Sequence, residues 1–333
     1  MTEGERLIEE LREITMVPGM SGYEERVREK IKEWLDPYVD TETDTIGNLV
    51  AKIGEGEVKG LFMAHMDEIG LLITGVTDDG KLTFRKIGGI DDRLLYGRHL
   101  SIVTEDGVVD GLIGAESPHL GLNERVVRWE EMTIDVGARS REEALKLVKP
   151  LDFAVFKKHF SVLNGRYVST RSLDDRFGVV TLVEAIKDLV DHDLDGTYIF
   201  AFTVQEEIGL KGARFLAKRY RPEYAFAVDS FACCSKLTGD VEPGKGPVIR
   251  AVDGSAIYTR RLAREVMEIA SKNRILLQIG VTGGATDASV FQDISEVLAL
   301  SVPIKYLHSE VEMLSVDDLK ALIKLLEAIV LEL

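Results

Sequence analysis

The chain has 333 residues, with 41 Lys and Arg against 57 Asp and Glu, a formal net charge of −16 that argues against nucleic acid or anionic membranes as partners. Its 45% hydrophobic and 29% charged residues describe a folded globular protein rather than a disordered one. No apolar run approaches the ~20 residues of a membrane span, and Met1–Arg6 lacks the basic-then-apolar layout of a signal peptide, so the expected location is cytoplasmic.

Two helices are predicted at the start. Thr2-x-x-Glu5 and Ser21-x-x-Glu24 both match the capping box, in which hydroxyl and carboxylate satisfy free amides at a helix start. Val17-Pro18-Gly19 and Asp36-Pro37 stop these helices. Residues 48–53 read as a strand, and the continuous apolar run 60–64 as a strand buried on both faces, ending at His65-Met66-Asp67-Glu68. From about residue 69 to 160, strand-and-turn signals dominate, with one helical stretch at 140–148, which predicts a small inserted β-rich domain. After Ser169 the apolar strands 197–204, 224–228, 275–279 and 297–302 alternate with amphipathic helices, the last opening at Ser315-x-x-Asp318. The expected fold class is α/β: a mixed sheet sandwiched by helices, interrupted by the insertion. The two cysteines, Cys233 and Cys234, are neighbours that bridge only with strain; they are expected as small buried side chains. Few Asn and Gln beside many Glu, Lys and Arg suit a thermophile.

Polar residues able to hold a metal recur where the apolar strands stop, which is where open α/β sheets bind ligands. His65 and Asp67 lie two apart, on one side of an extended strand, and a carboxylate can hold the second ring nitrogen of a ligating histidine. An Asp of the pair Asp174-Asp175, before the helix at 177–189, reads as a helix cap or as a carboxylate that bridges two ions. Glu206 and Glu207 follow a buried strand, where paired carboxylates need exposure or a cation. Asp229 is expected at the tip of strand 224–228, and His308 follows the apolar stretch 301–307. This nitrogen-and-oxygen set matches a hydrolytic dizinc or dicobalt centre. The remaining histidines His99, His159 and His192 read as structural or exposed.

At these residues the sequence resembles the tetrahedral-assembly (TET) aminopeptidases, in the metallopeptidase family of glutamyl aminopeptidase, deblocking aminopeptidases and cellulase-M-like proteins. The resemblance runs over almost the whole chain through Pro18-Gly19-Met20-Ser21-Gly22-Tyr23-Glu24, Ala64-His65-Met66-Asp67-Glu68, Leu173-Asp174-Asp175-Arg176, Gln205-Glu206-Glu207, Ala227-Val228-Asp229, Thr282-Gly283-Gly284-Ala285-Thr286-Asp287 and Tyr306-Leu307-His308-Ser309. It implies a zinc-peptidase-like catalytic domain over residues 1–70 and 164–333, with a PDZ-like β-barrel used in dimerisation over 71–163. His65, Asp174 and Asp229 would hold one ion and Asp174, Glu207 and His308 the other, zinc or cobalt. Glu206 would be the general base, Asp67 the partner of His65, and Gly283 and Gly284 part of a substrate-side loop. Residues 116–119 resemble a family loop near the active-site channel, and 120–131 is short beside the family. The implied activity is removal of N-terminal residues from short peptides by a two-metal-activated water, inside a homododecamer built from dimers. The rival readings are a dinuclear carboxypeptidase or amide deacylase, and a non-catalytic assembly protein that retains the fold.

Overall fold

A computed structural model describes residues 2–117, 119 and 125–333, so the segments 116–119 and 120–131 fall partly outside the described residues. Helix α1 (Glu3–Met16) opens on the expected capping box, with the Glu5 amide donating to the Thr2 hydroxyl at 3.3 Å and the Thr2 amide to the Glu5 carboxylate at 2.7 Å. Helix α2 (Glu25–Leu35) does not use the second predicted box. Its N-cap, Glu24, makes no side-chain cap bond. The Ser21 hydroxyl instead donates to Asp67 at 2.6 Å, and Glu24 accepts the amides of Gly22 and Gln205 at 2.8 and 3.0 Å. The long-range partners outcompete the local cap.

Strands β1 (Thr41–Thr43), β2 (Leu49–Ile53) and β3 (Val58–His65) precede the insertion. Within it, β4 (Gly70–Val76), β5 (Leu82–Ile87), β6 (Arg98–Thr104), β7 (Gly107–Ile113), β8 (Ile134–Asp135), helix α3 (Arg141–Leu145) and β9 (Phe153–Phe156) follow in order. The six strands close as a barrel in the order β4-β5-β8-β7-β6-β9, around a core that includes Leu71, Ile73, Leu100, Ile102 and Ile134. Then come β10 (Ser161–Leu163), β11 (Tyr167–Thr170), α4 (Leu173–Leu189), β12 (Thr197–Thr203), α5 (Lys211–Arg219), β13 (Tyr224–Ala232) and β14 (Val248–Val252). Helix α6 (Arg260–Lys272), β15 (Gln278–Val281), β16 (Glu296–Ile304), β17 (Glu312–Ser315) and α7 (Val316–Glu332) complete the chain. Strand β1 carries too little apolar pattern to be read from sequence, β14 is apolar but lies outside the predicted strands, and the strand predicted at 275–279 forms three residues later, as β15.

The large sheet is mixed, in the order β1-β2-β12-β3-β13-β16-β14-β15, and helices sandwich it. Its centre, β12-β3-β13-β16, is all parallel. Burial on both faces explains the near-continuous apolar runs there. Phe62, Phe200 and Phe226 sit in register on β3, β12 and β13, with ring centroids 5.4 and 4.8 Å apart. Each buried phenylalanine contributes roughly 2–3 kcal/mol of transfer free energy. Because β12 and β13, consecutive in sequence, flank β3 on opposite sides, the strand order switches direction at β3. A crevice forms beyond the carboxyl ends of strands at such a switch. A small sheet, β10-β11-β17, has its own strand pairing and packs against the end of β16 through β17. Cys233 is half-buried and Cys234 exposed, against the expectation of two buried side chains; both thiols are free.

Candidate active site

The parallel strands deliver the candidate residues to that crevice. His65 ends β3, Glu206 and Glu207 follow β12, and His308 lies beyond β16. Asp229 is not at a strand tip as expected. It is an interior residue of β13, which runs on to Ala232 in register with β16. Asp174 enters from the start of α4, where Asp174 and Asp175 have non-helical backbone angles. Capping falls to Asp175, whose Oδ1 accepts the Gly178 amide at 3.2 Å while Oδ2 accepts the His65 amide at 3.1 Å. This leaves the Asp174 side chain free to face the crevice.

Asp174 has one oxygen on each of two imidazoles. Its Oδ1 lies 3.2 Å from His65 Nε2 and its Oδ2 lies 3.3 Å from His308 Nε2. Glu207 Oε1 is 3.2 Å from the same His308 nitrogen, and Glu206 Oε2 is 4.0 Å from His65 Nε2. Two overlapping triads able to hold a cation result: His65, Asp174 and Asp229, and Asp174, Glu207 and His308, each with donor atoms within 4.8 Å of one another.

Asp67 does more than the sequence implied. The His65 Nδ1 is 3.1 Å from the Asp67 main-chain carbonyl and 3.5 Å from its carboxylate. That carboxylate is fully buried and accepts the amides of Glu206 at 3.0 Å and Glu207 at 3.2 Å, as well as the Ser21 hydroxyl. It fixes the loop carrying both glutamates, where Gln205 takes a left-handed φ of 55°. Such a conformation in a non-glycine residue costs about 1–3 kcal/mol and needs external support.

The electrostatics call for a cation. Burial lifts the Asp229 carboxyl to about 7 against the pull of Arg250, with Asp174 adding to the rise. Burial also raises Glu206 well above the usual range, opposed by His65 and reinforced by Asp229, Asp287 and Glu207. Burial alone would lower His308; its bonds to Asp174 and Glu207 overcome that and push it up to about 12. The same balance raises His65 through Asp174 and Asp67. Carboxylates this close and this buried are costly without positive charge between them. The donor set of two imidazoles and three carboxylates fits divalent ions that accept nitrogen and oxygen, such as zinc or cobalt.

The triads open onto a cleft of about 480 Å³, lined among others by Gly283, Gly284, Ala232 and Arg250. Gly284 has a φ of +82°, which favours glycine. Sequence reasoning missed Ser21, Glu24 and Asp175 as supports, and Arg250, Asp287 and Glu312. The Asp-Asp doublet hinted at Asp175, and Ser21, Glu24 and Asp287 lie in segments that carry the family resemblance.

Fold and site together define a metal-dependent peptidase. The family model of M42 glutamyl aminopeptidase matches residues 47–325. The chain is 35% identical to the lysyl aminopeptidase of Pyrococcus furiosus over 97% of its length and 96% of that protein. It is 69% identical, with a TM-score of 0.96, to the TET1 peptidase of Pyrococcus horikoshii, covering 98% of this chain and 100% of that one. An aminopeptidase from the archaeon Desulfurococcus kamchatkensis superposes with a TM-score of 0.93 at 34% identity, covering 100% and 96% of the two chains. The chain belongs to the M42 glutamyl aminopeptidase family and resembles its TET-type members; it is an aminopeptidase.

Proposed function

We propose that the chain removes N-terminal residues from short peptides with two divalent ions, zinc or cobalt, one on His65, Asp174 and Asp229 and one on Asp174, Glu207 and His308. The observation that carries this reading is the split allegiance of Asp174, whose two oxygens face different histidines at 3.2 and 3.3 Å. When bound, such ions polarise the scissile carbonyl and lower the pKa of water in the site. Glu206 accepts a proton from the attacking water at its carboxylate and returns it to the departing amine. Asp67 holds the main chain of Glu206 and the ring of His65. Gly283 and Gly284 let the peptide backbone approach. The free α-amino group of the peptide would lie among the acidic ligands, and this confers exopeptidase selectivity.

A carboxypeptidase needs a free cation for the substrate carboxylate. Among the described residues lining the cleft, the sole Arg or Lys is Arg250. Its guanidinium is engaged by Ser301 at 3.0 Å, by Asp253 at 3.3 Å and by the Ser230 carbonyl. This disfavours that rival.

The proposal extends to organisation. Residues 1–70 and 164–333 would form the catalytic domain and 71–163 the dimerisation insert, in dimers that build a cytoplasmic homododecamer of a thermophile. The Pyrococcus horikoshii peptidase is described as able to assemble into a tetrahedron or a large octahedral shell, which supports this. Among the described residues no helix is long and apolar enough to cross a membrane.

The test is a panel of aminoacyl anilides set against N-blocked peptides with free C-termini, run after chelation and again after zinc or cobalt is restored. Metal-restored cleavage of the anilides alone is the expected result. Cleavage of the blocked peptides would contradict the proposal.

A further inference from the structure

Glu312 is a buried carboxylate, 2% exposed, for which the activity as derived has no use. It opens β17, opposite Thr170 at the end of β11. At this point two chain segments leave regular structure. Beyond β11 the chain reaches Ser172, with a left-handed φ of 56°, and then Asp174. Beyond β16 it makes a tight excursion, pinned at its base by mutual amide–carbonyl bonds between Lys305 and Met313, both 3.0 Å. Within this excursion Tyr306 and His308 have left-handed φ values of 60° and 58°. Both segments therefore carry conformations that do not hold themselves.

One side chain joins them. Glu312 Oε2 accepts the Asp174 amide at 3.1 Å, and Oε1 accepts the His308 amide at 2.8 Å. Each oxygen thus fixes the main chain of a residue whose side chain faces the same triad. The triad members His65, Glu207 and Asp229 have no bond to Glu312; their backbones are held within β3 and β13 or by Asp67.

We propose that Glu312 is a positioning residue for the metal half-site made by Asp174, Glu207 and His308, acting as a two-point clamp on the main chains of Asp174 and His308. The inference rests on the two-ion reading above. Support of this kind typically accounts for ~10–100-fold in metal affinity. A glutamine at 312 keeps the shape but offers one acceptor and turns an N–H donor towards the other amide. An aspartate keeps the charge but is one methylene short of spanning both amides.

The test is calorimetric titration of chelator-stripped full-length protein with Co2+, alongside thermal melting of the stripped forms. Wild type should take two ions. Glu312→Gln and Glu312→Asp should each weaken the site on Asp174, Glu207 and His308 by ~10–100-fold, and the site on His65, Asp174 and Asp229, which shares only Asp174 with it, by less, with stripped melting temperatures near wild type. Two wild-type affinities in Glu312→Gln would overturn the inference, as would full rescue by Glu312→Asp, which would make charge and not reach the cause. Collapse of the stripped variants would also overturn it, since Glu312 would then hold the fold and not the half-site. Failure of wild type itself to take two ions would instead sink the two-ion reading.

Discussion

The main-chain carbonyl of Gly89 lies 2.9 Å from Nδ1 of His308, a residue 219 positions further along the chain. Gly89 belongs to the segment that follows β5 of the barrel, so the insertion reaches into the candidate metal site. A ring that donates Nδ1–H to a carbonyl presents the Nε2 lone pair, and here Nε2 faces Asp174 and Glu207. His65 repeats the arrangement, with Nδ1 on the Asp67 carbonyl and Nε2 on Asp174.

A Cβ on Gly89 would lie 3.2 Å from His308 Nδ1 and 3.5 Å from its Cε1, tight enough to push the ring. Gly89→Ala should therefore weaken the ion held by His308 by about tenfold while sparing the one held by His65. Metal titration of the variant checks this; equal weakening of both sites would contradict it.

Glu206→Gln removes the proton acceptor but none of the triad members. It should bind metal and melt like wild type, with kcat lower by ~10²–10⁴-fold. Steady-state kinetics with elemental analysis measures both quantities, and near-normal kcat would remove Glu206 from its role.

Asp67→Ala strands two part-buried amides and a buried hydroxyl that the carboxylate now accepts at 3.0, 3.2 and 2.6 Å. A loss of about 2–4 kcal/mol in stability follows from leaving such groups unpaired, and kcat falls with the displaced Glu206 loop. Denaturant melts report the first effect. A variant as stable as wild type would show that water replaces the carboxylate without cost.

These supports explain what the sequence hid. The parallel strands and the ligand positions at His65, Glu206, Glu207 and His308 were legible because apolar runs end abruptly at polar residues. Asp229 was placed at a tip because the run stops there, yet pairing with β16 carries β13 past it. Ser21 and Glu24 have the spacing of a helix cap, and only the folded chain shows that Asp67 and Gln205 claim them. Gly89 and Glu312 act through contacts across 219 and 138 residues, respectively, which no local pattern encodes.

Metal removal should make stability depend on pH. In the stripped protein, burial lifts Asp229 to about 7 and Asp287 to about 6, from an ordinary value of 3.8. A carboxyl raised in the folded state favours folding fully below its ordinary value, and that contribution is lost as pH rises through the raised one. The stripped protein should therefore lose stability from about pH 4 to pH 7, while the loaded protein, with a cation on Asp229, should lose less. Melting temperatures of both forms across this range test it; a gap that narrows towards pH 7 would contradict the account.

The most direct measurement is anomalous diffraction at the metal edge from crystals of zinc- or cobalt-loaded protein. Two peaks about 3.5–4 Å apart, one beside each oxygen of Asp174, are the predicted result. A single peak, or peaks away from Asp174, would contradict the shared-carboxylate centre.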